Sequence, residues 1–357
     1  MNYQEFCKAF QLEPLEEVEE IYEKTDLLEP IDTSWFLALM PETGERLLRL
    51  AEDVMADPLK LSYVNLLKAT YWALPENRGH WLPQGEGEEF ANLAPALVML
   101  TCAGKAEAEM QRRNIPEDQQ VWIRSGHQRA ILAREKAVGY PAMTAGSFYW
   151  RKRMLIPSIY MIGNLEFELK PMTGQVTVYQ EKATGKLLGL REDGQTETEF
   201  LCTEMLRGGV PGEAVTLSKA EYDSYVRLKE DEVVAIHIPK GSRIDPEALD
   251  SACALALEFF AKYYPDRSPK CFYCGSWLLD PTLADYLKPT SNIISFQRRF
   301  SCWPVKSTGK EVFQFVHPET FNSYEELPET TTLERMLKKR YLADDPIYVH
   351  SGLCPFA

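Results

Sequence analysis

From Asp231 to Leu249 the chain reads DEVVAIHIPKGSRIDPEAL. A helical stretch follows, then CFYCGSWLLDP from Cys271 to Pro281 and SNIISFQRRF from Ser291 to Phe300. The β-branched run Val233 to Ile238 predicts a strand, and Pro239, which has no N–H to give a ladder, ends it. Lys240, Gly241, Ser242 and Arg243 make a turn. Asp245 suits a helix N-cap, and Pro246 suits the first helical position, where its missing N–H costs nothing. Leu249, Cys253, Ala256, Leu257 and Phe260 then recur at helical spacing. A strand feeding a capped helix through a Gly-containing turn presents free backbone N–H groups and the positive end of a helix dipole. That combination suits phosphate or pyrophosphate. The whole stretch reads strand, turn, helix, strand, helix.

On the N-terminal side of this stretch, Leu165 to Leu169 alternates as a half-buried strand should, and Val176 to Gln180 reads as a second strand. Met172-Thr173-Gly174 makes a turn between them, and Lys182 to Lys186 another before Leu187 to Leu190. The expectation is an antiparallel meander. Arg191 to Tyr225, with Gly208-Gly209 and Pro211-Gly212, reads as an insertion or a pair of short strands. On the C-terminal side, a strand is predicted at Val312 to Val316, a helix at Thr332 to Leu342 and a last strand at Ile347 to His350.

The first 145 residues read as helices: Leu12 to Thr25, Thr43 to Met55, Leu59 to Leu74, Glu88 to about Gln111, and Ile115 to about Ala137. Pro75 to Glu86 is a Gly- and Pro-containing loop with His80 and Trp81. The fold class that follows is α+β, with a helical N-terminal domain over residues 1–145 and a mixed-sheet domain over residues 146–357.

Composition narrows the function classes. The chain has 357 residues, 45% of them apolar and 26% charged, as in an ordinary soluble globular protein. No apolar run approaches the roughly 20 residues that span a bilayer. The start, MNYQEFCK, lacks the basic and apolar regions of a signal peptide, so a cytoplasmic setting is expected. The eight cysteines are scattered, which fits reduced thiols. A net charge of −14 argues against nucleic acid as a partner. Residues 1–150 hold 24 acidic and 14 basic side chains, so most of the acidic excess lies away from the Lys240–Arg243 turn. The lone Cys271-x-x-Cys274 pair has no second pair at metal-binding spacing, and no metal is expected. Cys274 as a nucleophile would need a histidine brought to it by the fold.

The order of elements resembles the second half of the GNAT superfamily, the acyl-CoA N-acyltransferases. More closely, HIPKG, SWLLDP and SNIISF are similar to a bacterial group of acyltransferases that join a helical N-terminal domain to a GNAT-like C-terminal domain. The resemblance implies a co-substrate, acyl-CoA or coenzyme A, entering a V-shaped gap between the strands at Val233–Ile238 and Cys271–Leu279. It implies that Lys240, Gly241, Ser242 and Arg243 hold its pyrophosphate, and that a small-molecule amine is the acceptor. Two departures are visible. The turn has one glycine where the superfamily often has two small residues, and Phe296 stands where many members carry a proton-donating tyrosine.

Each candidate residue also has a plainer reading. His237 would be the general base, since an imidazole titrates near neutrality, or else a histidine bonded across the sheet. Glu166 and Glu168 share a strand face and would orient an amine or supply a base, or else line a solvated face. Ser276 would line the acyl groove where the strands splay, or else simply end its strand ahead of a Trp277–Leu279 core and Asp280, a turn or cap residue. Asn292 would contact the pantetheine arm, or else its helix is capped by Ser291 or by itself. His80, Trp81 and Trp122 would border an acceptor pocket. The alternative to an enzyme is a non-catalytic binding protein on a degenerate GNAT-like scaffold.

Overall fold

The computed structural model describes residues 2–9, 11–24, 41–73, 88–140, 142–172, 176–184, 187–195, 199–205, 211–227, 232–316 and 321–356. The chain divides into two compact units, Met1–Tyr160 and Met161–Ala357. His80, Trp81 and the whole predicted loop from Pro75 to Glu86 lie outside the described residues, as do Thr173, Gly174 and the Gly208-Gly209 pair.

The first unit is built from helices α1 (Tyr3–Ala9), α2 (Glu16–Lys24), α3 (Pro41–Ala56), α4 (Pro58–Ala73), α5 (Glu88–Arg112), α6 (Glu117–Val138) and α7 (Ala145–Leu155). Five of these match the predicted segments to within a few residues. Helices α1 and α7 were not expected. Helix α7 starts because the Thr144 side chain accepts from the Ser147 backbone N–H, a cap worth about 1 kcal/mol. Leu66, Tyr71, Leu97 and Phe148 are fully buried in one core, where Tyr71 stacks on Phe148 at 3.9 Å between ring centroids. Trp122 is half-buried on α6. Among the described residues no helix is long and apolar enough to cross a membrane.

The second unit carries the sheets. Strand β1 (Ile159–Ile162) spans the division between the units, and β2 (Leu165–Pro171) follows. Then come β3 (Val176–Glu181), β4 (Leu187–Gln195), β5 (Glu199–Met205), β6 (Pro211–Ser218), helix α8 (Lys219–Tyr222) and β7 (Tyr225–Arg227). The functional stretch supplies β8 (Glu232–His237), α9 (Pro246–Tyr263), β9 (Cys271–Ser276) and α10 (Asn292–Gln297). The chain closes with β10 (Ser301–Pro304), α11 (Phe313–Val316), α12 (Thr332–Leu342) and β11 (His350–Pro355).

Six strands form one mixed sheet in the order β1-β2-β8-β9-β11-β10, and five form a second in the order β6-β5-β4-β3-β7. The expected meander is therefore divided: β2 pairs antiparallel with β8 in the first sheet, while β3 pairs with β4 and β7 in the second. Residues 191–225, expected as an insertion or a pair of short strands, hold the end of β4, β5, β6 and the start of β7, which complete that second sheet. Strands β8 and β9 run parallel, joined by α9. Helix α9 forms where the sequence predicts it, with Asp245 accepting from the Ala248 N–H and Pro246 at its start. It buries Leu249, Ala252, Ala256 and Phe260. Each large apolar side chain so buried contributes about 1.5–3 kcal/mol.

Two C-terminal expectations are corrected. Where a strand is expected at Val312 to Val316, Phe313–Val316 is a short helix, because a run as short as VFQFV cannot separate a strand from a helical turn. The last strand is His350–Pro355, which pairs with β9 on one side and β10 on the other. The sequence concealed it behind Gly352, yet the glycine is what the position requires. A Cβ there would lie 2.9 Å from Phe300 Cβ and 3.1 Å from Cys302 Sγ.

Candidate active site

The parallel ladder between β8 and β9 is short. Val233 pairs with Cys271, Val234 with Phe272 and Ala235 with Tyr273, and there it ends. Both strands continue, β8 to His237 and β9 to Ser276. Each remains paired on its outer side: β2 follows β8 as far as Glu166 opposite His237, and β11 follows β9 as far as His350 opposite Ser276. The two central strands of the sheet therefore part between His237 and the Cys274–Ser276 segment.

Register places the chemistry-bearing side chains on one face. Glu168, Ala235 and Tyr273 form one row across β2, β8 and β9. Glu166 and His237 form the next row on the same face, two residues along. Diagonal neighbours on a sheet lie within reach of long side chains, and Glu168 uses that reach. Its Oε2 lies 2.9 Å from His237 Nε2. Glu168 is 5% exposed, and the carboxylate is held in the sheet rather than solvated. An ionised carboxylate only accepts, so with Glu168 ionised the bonded Nε2 carries the hydrogen. The sequence paired Glu166 with Glu168; the fold pairs Glu168 with His237.

The turn between β8 and α9 is tight. The Ser242 N–H donates to the Pro239 carbonyl at 3.0 Å, and Gly241 has φ +85°. That is the left-handed region that favours glycine. A Cβ at Gly241 would meet nothing within 4 Å, so its backbone lies open to an approaching group. Lys240 is exposed. The rest of the turn is engaged. The Ser242 hydroxyl donates to the Asn164 carbonyl at 2.7 Å, and Asn164 Nδ2 donates to the Arg243 carbonyl at 2.8 Å. Arg243 pairs with the Asp245 carboxylate at 2.9 Å. Lys240, the open Gly241 backbone and the largely exposed Arg243 guanidinium, which meets Asp245 through its Nε, are the accessible donors that a pyrophosphate would use.

Other expected site residues have local roles. The Ser276 hydroxyl accepts from the Leu278 N–H and starts a 3₁₀ turn over Trp277–Leu279. Ser291, not Asn292, caps α10 by accepting from the Ile294 N–H. Phe296 is fully buried and packs on Phe300, with ring centroids 4.8 Å apart. Cys274 is buried at 1% exposure, and burial pushes its thiol far above the ordinary range, so it supplies no thiolate. The SWLLDP segment is a structural hub. Gln297 Nε2 donates to the Leu278 and Asp280 carbonyls, and the Asp280 carboxylate accepts from the Thr282 and Tyr348 N–H groups. Among the described residues no group of three or more His, Cys, Asp or Glu is placed to hold a metal ion.

One polar residue on this face was missed. Tyr273 reads as core in CFYC, but its hydroxyl lies 2.8 Å from Ser351 Oγ. A Cβ on Gly275 would sit 3.1 Å from that hydroxyl, so the phenol extends along β9 over Gly275. Gly275 is the residue at which β9 has parted from His237.

The model of a family described as the GNAT-like C-terminal domain matches residues 159–354, more than half of the chain. The structure is similar to a crystal structure of an acyltransferase in complex with decanoyl-CoA and teicoplanin. The TM-score is 0.65 at 17% identity, over 100% of both chains. It is similar, at a TM-score of 0.61 and over the same coverage, to an acyltransferase in complex with decanoyl-CoA, 17% identical, and to one with CoA and 10C-teicoplanin, 18% identical. No curated protein matches the sequence.

Proposed function

Because this chain belongs to the family with the GNAT-like C-terminal domain, we propose that it transfers an acyl group from a coenzyme A thioester to a small-molecule amine. The observation that carries the reading is the parting of β8 and β9 beside the Glu168–His237 pair. Strand ends that separate leave backbone N–H and C=O groups unmatched, and an extended pantetheine arm can satisfy them as a further strand would. Gly241 and Lys240 would take the pyrophosphate. Ser242 holds the turn in shape, Arg243 would add a charge-assisted contact, Ser276 would line the groove at the end of β9, and Asn292 would contact the pantetheine arm. His237 removes the proton of the attacking amine, with Glu168 holding the ring and stabilising the imidazolium that forms. Glu166, directly across the ladder from His237, favours a cationic acceptor entering beside the base. The setting is the cytoplasm; the seven described cysteines form no disulfide, which is consistent with it.

The test is release of free thiol from acetyl-CoA and decanoyl-CoA, with hydroxylamine as the probe amine and the uncatalysed rate subtracted. Decanoyl-CoA is the donor bound in two of the similar structures. Turnover that His237→Ala abolishes supports the reading. A chain that binds these thioesters and never turns them over supports instead a binding protein on the same scaffold, a reading favoured by the engaged turn and by the buried Phe296.

A further inference from the structure

In the first unit, α6 and α7 form an open cavity of about 620 Å³, the size of a small-molecule site. Arg129 and Arg134 from α6 and Arg151 from α7 line it, and none of its described lining residues is acidic. Three guanidiniums thus converge in a unit whose first 150 residues carry an acidic excess. The floor is small and apolar: Ala130, Ala133 and Ala137 share one face of α6. Trp150 adds an indole, and Gly146 brings the first turn of α7 to the wall. We infer that this cavity binds a small organic phosphate, the guanidiniums taking the phosphate oxygens and the alanine and indole surface taking the organic body. All of its lining residues belong to the first unit, whereas the Gly241 turn belongs to the second. The site stands whether or not the chain transfers acyl groups.

Gly126 marks the cavity as built rather than incidental. It lies buried in the interior of α6, where glycine costs stability relative to alanine. A Cβ there would overlap Arg151 Nη1. The missing side chain is therefore the space in which the Arg151 guanidinium lies against α6, with Nη1 3.2 Å from Met154 Sδ. An arginine already held in place loses less freedom when it binds. Its charge is felt inside the helix pair. The adjoining His127 is fully buried, and burial first and Arg151 second push its imidazole down to about 3, so the ring is neutral near pH 7. Thr144, which caps α7 by accepting from the Ser147 N–H, lines the same cavity, so the positive end of α7 adds to the guanidiniums. The planar guanidinium fork matches phosphate oxygens two at a time. A phosphate monoester, with up to two negative charges, also balances three cations better than a carboxylate with one.

The experiment is isothermal titration of the full chain with phenyl phosphate, inorganic phosphate and benzoate at one low ionic strength. Phenyl phosphate is expected to bind saturably, with the other two at least about tenfold weaker, one lacking the body and the other the second charge. Arg134→Ala and Arg151→Ala should each weaken phenyl phosphate at least about tenfold, as for the loss of a charge-assisted hydrogen bond. Gly126→Ala is the sharper variant. It raises helix propensity, so the unfolding midpoint should hold or rise, yet its methyl displaces the Arg151 guanidinium and should weaken phenyl phosphate severalfold. In the Arg151→Ala background it should have no further effect. No saturable heat from phenyl phosphate at millimolar concentration overturns the site, and so does binding that Arg151→Ala and Gly126→Ala leave unchanged. Benzoate as tight as phenyl phosphate overturns the phosphate assignment. Decanoyl-CoA titrated into the same variants should show no change, and a loss parallel to that of phenyl phosphate overturns a site separate from the Gly241 turn.

Discussion

Replacing Glu168 with Gln isolates the charge in the carboxylate–imidazole pair. The side chain keeps its shape and an acceptor oxygen, so the 2.9 Å contact to His237 Nε2 survives as a neutral hydrogen bond. What is lost is the charge assistance, and it is lost most when the ring becomes an imidazolium. The Glu168 side chain is 7% exposed and that of His237 is 24% exposed, so solvent screens the pair only in part. A hydrogen bond to a charged group contributes about 1.5–3 kcal/mol. At about 1.4 kcal/mol per tenfold, kcat should fall about 10- to 150-fold, with the Kd for decanoyl-CoA unchanged because in the proposed reaction the pair acts on the acceptor and not on the donor. Thiol release from decanoyl-CoA measures kcat, and thermal unfolding checks that the buried position still folds. A Glu168→Gln chain with an unaltered unfolding midpoint and a kcat within twofold of wild type would refute the role given to this pair.

Two further outcomes concern the scaffold. Gly352→Ala places a methyl 2.9 Å from Phe300 Cβ in the last strand. Such overpacking costs about 1–3 kcal/mol, and at about 2–4 °C per kcal/mol calorimetry should show the midpoint falling by several degrees. In the first unit, the Arg112 hydrogen bond, helped by Arg113 and opposed by slight burial, pulls the Glu109 carboxyl down to about 2. A folded-state value below the unfolded one means stability that is full above about pH 4.5 and disappears as the pH falls through about 2. The difference between wild type and Glu109→Gln in denaturant melts should be constant above about pH 5 and vanish near about pH 2. It should stay under about 1 kcal/mol, because the pair is largely solvated.

How far the sequence carried depended on range. Helix α9 was legible to the residue because its signals are local: Asp245 caps, Pro246 starts, and Leu249 to Phe260 repeat at helical spacing. The fold class followed from the same kind of evidence. Pairings did not. Alternation puts Glu166 and Glu168 on one face and His237 on another strand, but only the ladder, which joins residues about 70 positions apart, says that Glu168 reaches the imidazole. Strand β11 was placed too early because His350-Ser351-Gly352 lacks β-branched residues; its glycine answers to Phe300 and Cys302, which sequence does not show as neighbours. Tyr273 was hidden for a related reason. In CFYC an aromatic reads as core, and its polar end acquires meaning from Ser351, 78 positions away.

In the proposed function a coenzyme A thioester is held at the Gly241 turn, where β8 ends. Isothermal titration of decanoyl-CoA into the wild-type chain and into Gly241→Glu addresses it directly, with circular dichroism confirming that both are folded. Saturable binding is expected, with a Kd on the order of micromolar, weakened at least about tenfold when a carboxylate replaces the open glycine and repels the pyrophosphate. No heat at millimolar ligand, or the same Kd for both chains, would contradict it.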